Sequence, residues 1–283
     1  MNYIKVNVKD SMSFCLQFFK KSGYILTFIK RLRLKNVYLC PNMQNTKIGL
    51  LGYGKMGKAI EALAEAQGCT VVWKFGRDAQ QALTHARLRE ADVVIEFSRP
   101  ESGFENVLLC LQAGVPVVSG TTGWQEQLPV AKAAALEKEG ALLWASNFSV
   151  GVNLFFALNT FLAKLMQGQP QYKANLTEIH HIHKLDAPSG TAVTLAEGII
   201  DTKGQYQHWN MENPTANELP ITAVREGEVP GTHIIQWESG FDVITIEHKA
   251  HTRTGFAIGA LVAAKWLVGK KGVFEMKDVL GLL

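Results

Sequence analysis

The sequence predicts an α/β fold: a parallel sheet covered by helices on both faces, followed by a second, α+β domain. Three observations predict it. From Lys47 onward, short apolar runs alternate with helical stretches, which is the rhythm of a parallel sheet. The first run, K-I-G-L-L, leads directly into G-Y-G-K-M-G (Gly52 to Gly57) and an amphipathic stretch. In that strand-turn-helix context, glycines permit a tight turn and bring backbone amides to a pyrophosphate. After Gly151 the rhythm gives way to a long apolar helix and several strands.

The remaining sheet strands read T-V-V-W-K-F, A-D-V-V-I-E-F-S, V-P-V-V-S-G and A-L-L-W-A-S. Helical stretches such as E-N-V-L-L-C-L-Q-A lie between them. Ligands of such sheets sit beyond the carboxyl ends of the strands. Gly52, Ser98, Gly120, Thr121, Thr122 and Asn147 fall there. The second domain follows as V-N-L-F-F-A-L-N-T-F-L-A-K-L-M, a strand through Glu178 and His180, a helix, and the strands I-T-A-V-R-E-G, T-H-I-I-Q-W-E and D-V-I-T-I-E-H. Glu238-Ser239-Gly240 fits a hairpin turn between the last two. A final helix, G-F-A-I-G-A-L-V-A-A-K-W-L-V, closes the chain.

At 283 residues with 47% hydrophobic and 19% charged content, the chain can bury the cores of two domains. Its net charge of +4 is unevenly placed. Residues 1–43 hold eight Lys/Arg against one acid, a balance of +7, and the remaining 21 basic and 24 acidic residues give −3. The body is therefore mildly acidic, and nucleic-acid binding is not expected. The apolar clusters of residues 1–43 are interrupted by lysines and fall short of the roughly 20 residues a spanning helix needs, so no membrane anchor is expected. That segment is read as an extension outside the fold, with Met43 as the expected start of the folded body. Cys15, Cys40, Cys69 and Cys110 lack metal-ligand spacing and read as free thiols in a cytoplasmic protein.

The densest chemistry is E-I-H-H-I-H-K-L-D-A-P-S-G-T-A, residues 178–192. Strand alternation puts His180 and His181 on opposite faces, so only one can face a given pocket. Ser189 is the candidate N-cap of the next helix, leaving N–H groups beside Gly190 and Thr191 to hold an anion. With Lys184 nearby, the segment reads as an acid/base group beside a carboxylate clamp. Zinc would accept the imidazoles, but histidines alternating along one strand point apart, and no metal is expected.

These residues, together with G-Y-G-K-M-G, F-S-R-P, S-G-T-T-G and S-N-F-S-V-G-V-N in the same order, resemble the dihydrodipicolinate reductases. The resemblance runs from about Lys47 to Leu283. It implies a Rossmann-type nucleotide domain at 44–149 plus 253–283, on which the last helix packs back. A substrate and oligomerisation domain would occupy 150–252. It also implies reduction of a cyclic dihydrodipicolinate-type imine to tetrahydrodipicolinate with NAD(P)H in lysine and diaminopimelate biosynthesis, and a homotetramer. His180 and Lys184 become the catalytic residues, and His181, Lys184, Ser189, Gly190 and Thr191 the contacts to a dicarboxylate substrate. Gly52, Gly54, Lys55, Met56, Gly57, Arg77, Gly120, Thr121, Thr122, Ser146, Asn147 and Phe148 become the cofactor contacts.

The glycine loop is one residue shorter than the G-x-x-G-x-x-G of many members. After the second strand stands K-F-G-R-D, where Gly76 takes the family's acidic position and Arg77 matches its arginine. With Lys74 adding charge, the pattern favours NADPH over NADH, and Asp78 is the group that could favour ribose instead. Another dehydrogenase of the same layout would lack the H-H-x-H-K and P-S-G-T combination. A non-catalytic nucleotide sensor would be expected to lack His180 or Lys184.

Overall fold

The computed structural model describes residues 45–76, 83–252 and 254–282. The N-terminal extension, Arg77, Asp78 and Arg253 lie outside them. Six parallel strands form the first sheet: β1 (Thr46–Leu51), β2 (Cys69–Phe75), β3 (Val93–Glu96), β4 (Val117–Ser119), β5 (Ala141–Trp144) and β11 (Gly272–Phe274), in the order β11-β5-β4-β3-β1-β2. The central β3 is buried at every position, as expected for a strand covered on both faces. One face packs α1 (Lys55–Ala64) and α7 (Thr254–Leu267) over Ile48, Leu50 and Ile95. The other packs α3 (Pro100–Ala113) and α4 (Leu128–Glu137) over Val94, Val117 and Leu142. A short α2 (His85–Leu88) precedes β3.

The ends of α3 follow elementary rules: proline in its first turn, where no N–H is needed, and left-handed Gly114 at its end. The chain returns to the first sheet through α7. Its small residues Ala257, Gly259, Ala260, Ala263 and Ala264 are buried. A Cβ at Gly259 would lie 1.7 Å from the Phe148 carbonyl oxygen, so only glycine allows this approach.

The second sheet has the order β10-β9-β6-β8-β7, from β6 (Lys173–His180), β7 (His208–Asn210), β8 (Glu218–Arg225), β9 (Thr232–Glu238) and β10 (Val243–Lys249). β6 pairs parallel with β8 and antiparallel with β9, so this sheet is mixed. The expected turn joins β9 to β10, with Ser239 N–H donating to the Asp242 carbonyl at 2.9 Å. Helices α5 (Val150–Met166) and α6 (Gly190–Ile200) cover one face of the sheet over Leu176, Ile221 and Ile235. Both start at serine caps: Ser149 accepts from Val152 N–H and Ser189 from Ala192 N–H. Among the described residues, no helix is long and apolar enough to cross a membrane.

Candidate active site

The nucleotide crevice lies where β1 runs into α1. Gly52 has φ +89°, and a Cβ there would sit 2.0 Å from the Phe97 carbonyl oxygen. A Cβ at Gly57 would sit 2.3 Å from the Gly52 carbonyl oxygen. The two glycines thus let the turn close, while Gly54 meets nothing within 4 Å and faces open space. No side chain caps α1, so its first N–H groups remain for an anion. A cavity of about 360 Å³ opens beside them, lined by Gly52, Tyr53, Gly76, Ser98, Arg99 and Asn106 among others. The cradle fits a dinucleotide pyrophosphate. Lys55 is exposed and Met56 packs its side chain on the core, so both would contribute backbone N–H groups.

Lys74 is not a free cation. Its ammonium donates to Glu61 at 2.7 Å and to Tyr53 at 3.2 Å, and it holds the Glu61 carboxyl below the ordinary range. Lys74 is thus engaged within the fold, and Arg77, the other cation of K-F-G-R-D, lies outside the described residues.

At the carboxyl ends of β3 and β4, buried Glu96 organises two loops. Its carboxylate accepts from Ser119 Oγ at 2.6 Å, Thr121 Oγ1 at 2.7 Å and Ser98 N–H at 2.9 Å. The Thr121 hydroxyl is consequently a structural tie, and Thr122 is exposed. Gly120 packs against the Phe97 ring, which a Cβ, 2.2 Å away, would have to displace. The Phe148 side chain is 2% exposed and meets Phe97 edge-on at 5.5 Å, so it shapes the site from the core. Ser146 is exposed and lines a separate, more apolar cavity of about 490 Å³ with Phe161 and Met276. Asn147 accepts from Ser149 N–H at 2.8 Å and donates to Thr191 Oγ1 at 3.3 Å.

The second domain carries the histidines and Lys184 of the 178–192 stretch. β6 ends at His180, and His181 to His183 lie in the turn that follows, so the expected alternation stops one residue early. His180 is buried and lines a cavity of about 300 Å³ with Asn147, Thr191, Gly231, His233 and His248. His181 is half-buried, whereas His183 is exposed and lies 3.5 Å from Glu228. Lys184 donates to both oxygens of Asp186, at 2.7 and 2.8 Å, and depresses that carboxyl. A substrate carboxylate would have to compete with Asp186 for this ammonium.

Sheet register brings in residues that sequence spacing missed. Arg225 stands opposite His180, and His233 opposite Glu178. Glu178 has both oxygens 3.1 Å from Ser189 N–H, and Arg225 Nη2 donates to it at 3.1 Å. Burial lowers His180 below the ordinary imidazole value; Glu178 opposes this, and Lys184 and Arg225 reinforce it. Burial, with His180 second, pushes His233 down to about 4. Glu178, His180 and His233 place ligand atoms within 4.8 Å of one another, a convergence that spacing along β6 alone did not foresee. The carboxylate of this trio is already engaged by Arg225 and Ser189. Glu178 could have been found in the sequence by strand alternation with His180, but Arg225 and His233 carry no signal until the strands are paired.

A parallel-sheet dinucleotide cradle joined to a buried histidine and a helix-start anion site defines a two-domain oxidoreductase of the nicotinamide type. The family described as "Dihydrodipicolinate reductase, N-terminus" matches residues 46–148, and "Dihydrodipicolinate reductase, C-terminus" matches residues 151–280. The chain belongs to the dihydrodipicolinate reductase family. A 4-hydroxy-tetrahydrodipicolinate reductase of Christiangramia forsetii is 45% identical over 233 residues, covering 82% of this chain and 97% of that protein. Another, of Thiobacillus denitrificans, is 36% identical over 258 residues, covering 81% and 96%. The fold is shared with a dipicolinate-bound dihydrodipicolinate reductase from Paenisporosarcina sp. TG-14, at TM-score 0.67 and 23% identity over 84% of this chain and 99% of that one.

Proposed function

We propose that this site reduces the cyclic imine derived from 4-hydroxy-tetrahydrodipicolinate to tetrahydrodipicolinate, in the route to diaminopimelate and lysine. The observation that carries the reading is the single cavity onto which His180 and Thr191 of the carboxylate cradle both open. The dinucleotide, NADPH or NADH, would be held by the α1 N-terminus and the loops at Gly120 and Asn147, and it supplies a hydride to the ring. Hydride addition leaves an electron pair that a proton must neutralise, and His180, which lines the cavity, or Lys184 from the turn after β6 supplies that proton. N–H groups of Gly190 and Thr191, with the ammonium of Lys184, bind a carboxylate and orient the ring. Because cradle and cofactor loops come from different parts of the chain, 150–252 and 44–149 plus 253–283, closure of these two lobes is part of the reading.

NADPH is the favoured cofactor, with Arg77 its 2'-phosphate partner and Gly76 leaving open space where an acid would repel it. The chain is read as a cytoplasmic homotetramer. The face of the mixed sheet opposite α5 and α6 leaves Thr222 and Val243 exposed and Ile179 and Ile234 half-exposed, a surface that further copies would cover. Light scattering checks the copy number. The function itself is tested by supplying the product of dihydrodipicolinate synthase with NADPH or NADH and following nucleotide oxidation. Absence of oxidation with both would overturn it.

A further inference from the structure

We propose that Glu178 is a positioning residue that fixes His180 and the carboxylate cradle in one geometric relation. This rests on the reading of His180 as proton donor and of Ser189 to Thr191 as anion site. Glu178 precedes His180 by two residues on β6, so both side chains face the same side of the sheet. The side chain of Glu178 is fully buried, and a buried carboxylate persists only where its neighbours satisfy it.

Each of its contacts bears on the chemistry. Both oxygens take the Ser189 N–H, while the Ser189 hydroxyl caps Ala192 N–H at 3.2 Å. Ser189 is thereby locked, and the N–H groups that remain to face an anion are those of Gly190 and Thr191. Glu178 Oε2 lies 3.4 Å from His180 Nδ1, which has no hydrogen-bond partner among the described residues. The other ring nitrogen, Nε2, faces Gly231, where a Cβ would sit 3.1 Å away, and Gly231 lines the same cavity. The carboxylate therefore attracts a proton to Nδ1 and leaves Nε2 as the atom that exchanges with the cavity, the role a carboxylate behind a working imidazole performs. Its charge also stabilises the imidazolium. Among neighbouring groups, Asp186 acts in the same direction, while Lys184 and Arg225 act against it; His180 in turn lowers His233.

The test uses the full chain with saturating nucleotide, comparing wild type with Glu178→Gln, Glu178→Asp and His180→Gln. If protonated His180 is the donor, kcat falls as pH rises through its titration. Glu178→Gln removes the counter-charge, so that fall should move to lower pH by about one unit. Its kcat should drop by about 10- to 100-fold, with nucleotide Kd changed by less than about two-fold. Glu178→Asp keeps the charge but shortens its reach to Ser189, so its pH profile should stay closer to wild type than that of Glu178→Gln while the substrate KM rises. Histidine ring-proton titration by NMR should show the His180 displacement in Glu178→Gln without turnover.

A Glu178→Gln enzyme with wild-type kcat, KM and pH profile beside an inactive His180→Gln would overturn the proposal. So would a loss of thermal stability alone. If Glu178→Gln does not fold, an unchanged KM in Glu178→Asp overturns it. Near-wild-type turnover in His180→Gln would remove the acid assignment itself, and this proposal with it.

Discussion

Asn147 donates from Nδ2 to Thr191 Oγ1 across 3.3 Å, so the loop after β5 touches the first turn of α6, the proposed carboxylate cradle, directly. The loop after β5 and the start of α6 are therefore tied by a polar contact. Pyridine-2,6-dicarboxylate, a flat dicarboxylate, should compete with substrate for this cradle and bind about 10-fold more weakly to Thr191→Val, which loses the hydroxyl. Competition with nucleotide alone would put the anion site elsewhere.

His180→Gln and Lys184→Ala should each lower kcat at least about 100-fold while leaving nucleotide affinity nearly intact, since both lie away from the α1 cradle. Lys184→Ala also releases Asp186, so Lys184→Ala/Asp186→Ala should show whether an unpaired carboxylate contributes to the loss. Stopped-flow turnover with separate nucleotide titration resolves the two effects.

Two glycines of one loop should behave oppositely. Gly52→Ala faces both a φ of +89° and a backbone oxygen 2.0 Å from the new Cβ, and should cost about 2 to 4 kcal/mol of stability together with nucleotide binding. Gly54→Ala meets nothing within 4 Å and should leave stability nearly unchanged. Urea unfolding of both variants checks the contrast.

Acid should weaken the fold through His233. Because its folded value is near 4 against an ordinary 6.5, the unfolded chain binds more protons between these limits, and stability falls as pH falls through them. The loss from this group is roughly 3 kcal/mol, present in full as stability above pH 6.5. Unfolding curves at pH 7.5 and 4.5 should show it, and His233→Gln should flatten the difference; parallel profiles would mean that burial of this ring is not what titrates.

Arg77→Ala should weaken NADPH more than NADH by about 1 to 2 kcal/mol, the worth of a charge-assisted contact to the 2'-phosphate. Lys74→Ala should discriminate less, because Glu61 already engages that ammonium. Equal weakening of both cofactors by Arg77→Ala would end the NADPH preference.

Much of the fold was legible in the order of residues because its signals are local. Period-two and period-3.6 patterning, a glycine turn between strand and helix, and a serine before a helix act over a few neighbours, and β1, α1, β6, α6 and the Ser189 cap lie where those signals put them. The candidate site could be proposed from sequence only through residues close along the chain, such as His180, Lys184 and Ser189, because neighbours carry a joint signal. Even there, spacing placed His181 on the strand, whereas β6 ends one residue earlier.

What the sequence by itself determined is the architecture and the family. Tertiary structure alone decided which groups surround His180. Arg225 and His233 reach it through the pairing of β6 with β8 and β9, strands more than forty residues downstream. It also decided that Thr121 ties down Glu96, that Phe148 is core, and that Lys74 and Lys184 are already paired. The physical reason is that patterning specifies which face of an element is buried, while hydrogen-bond partners depend on register and packing between elements distant in the chain.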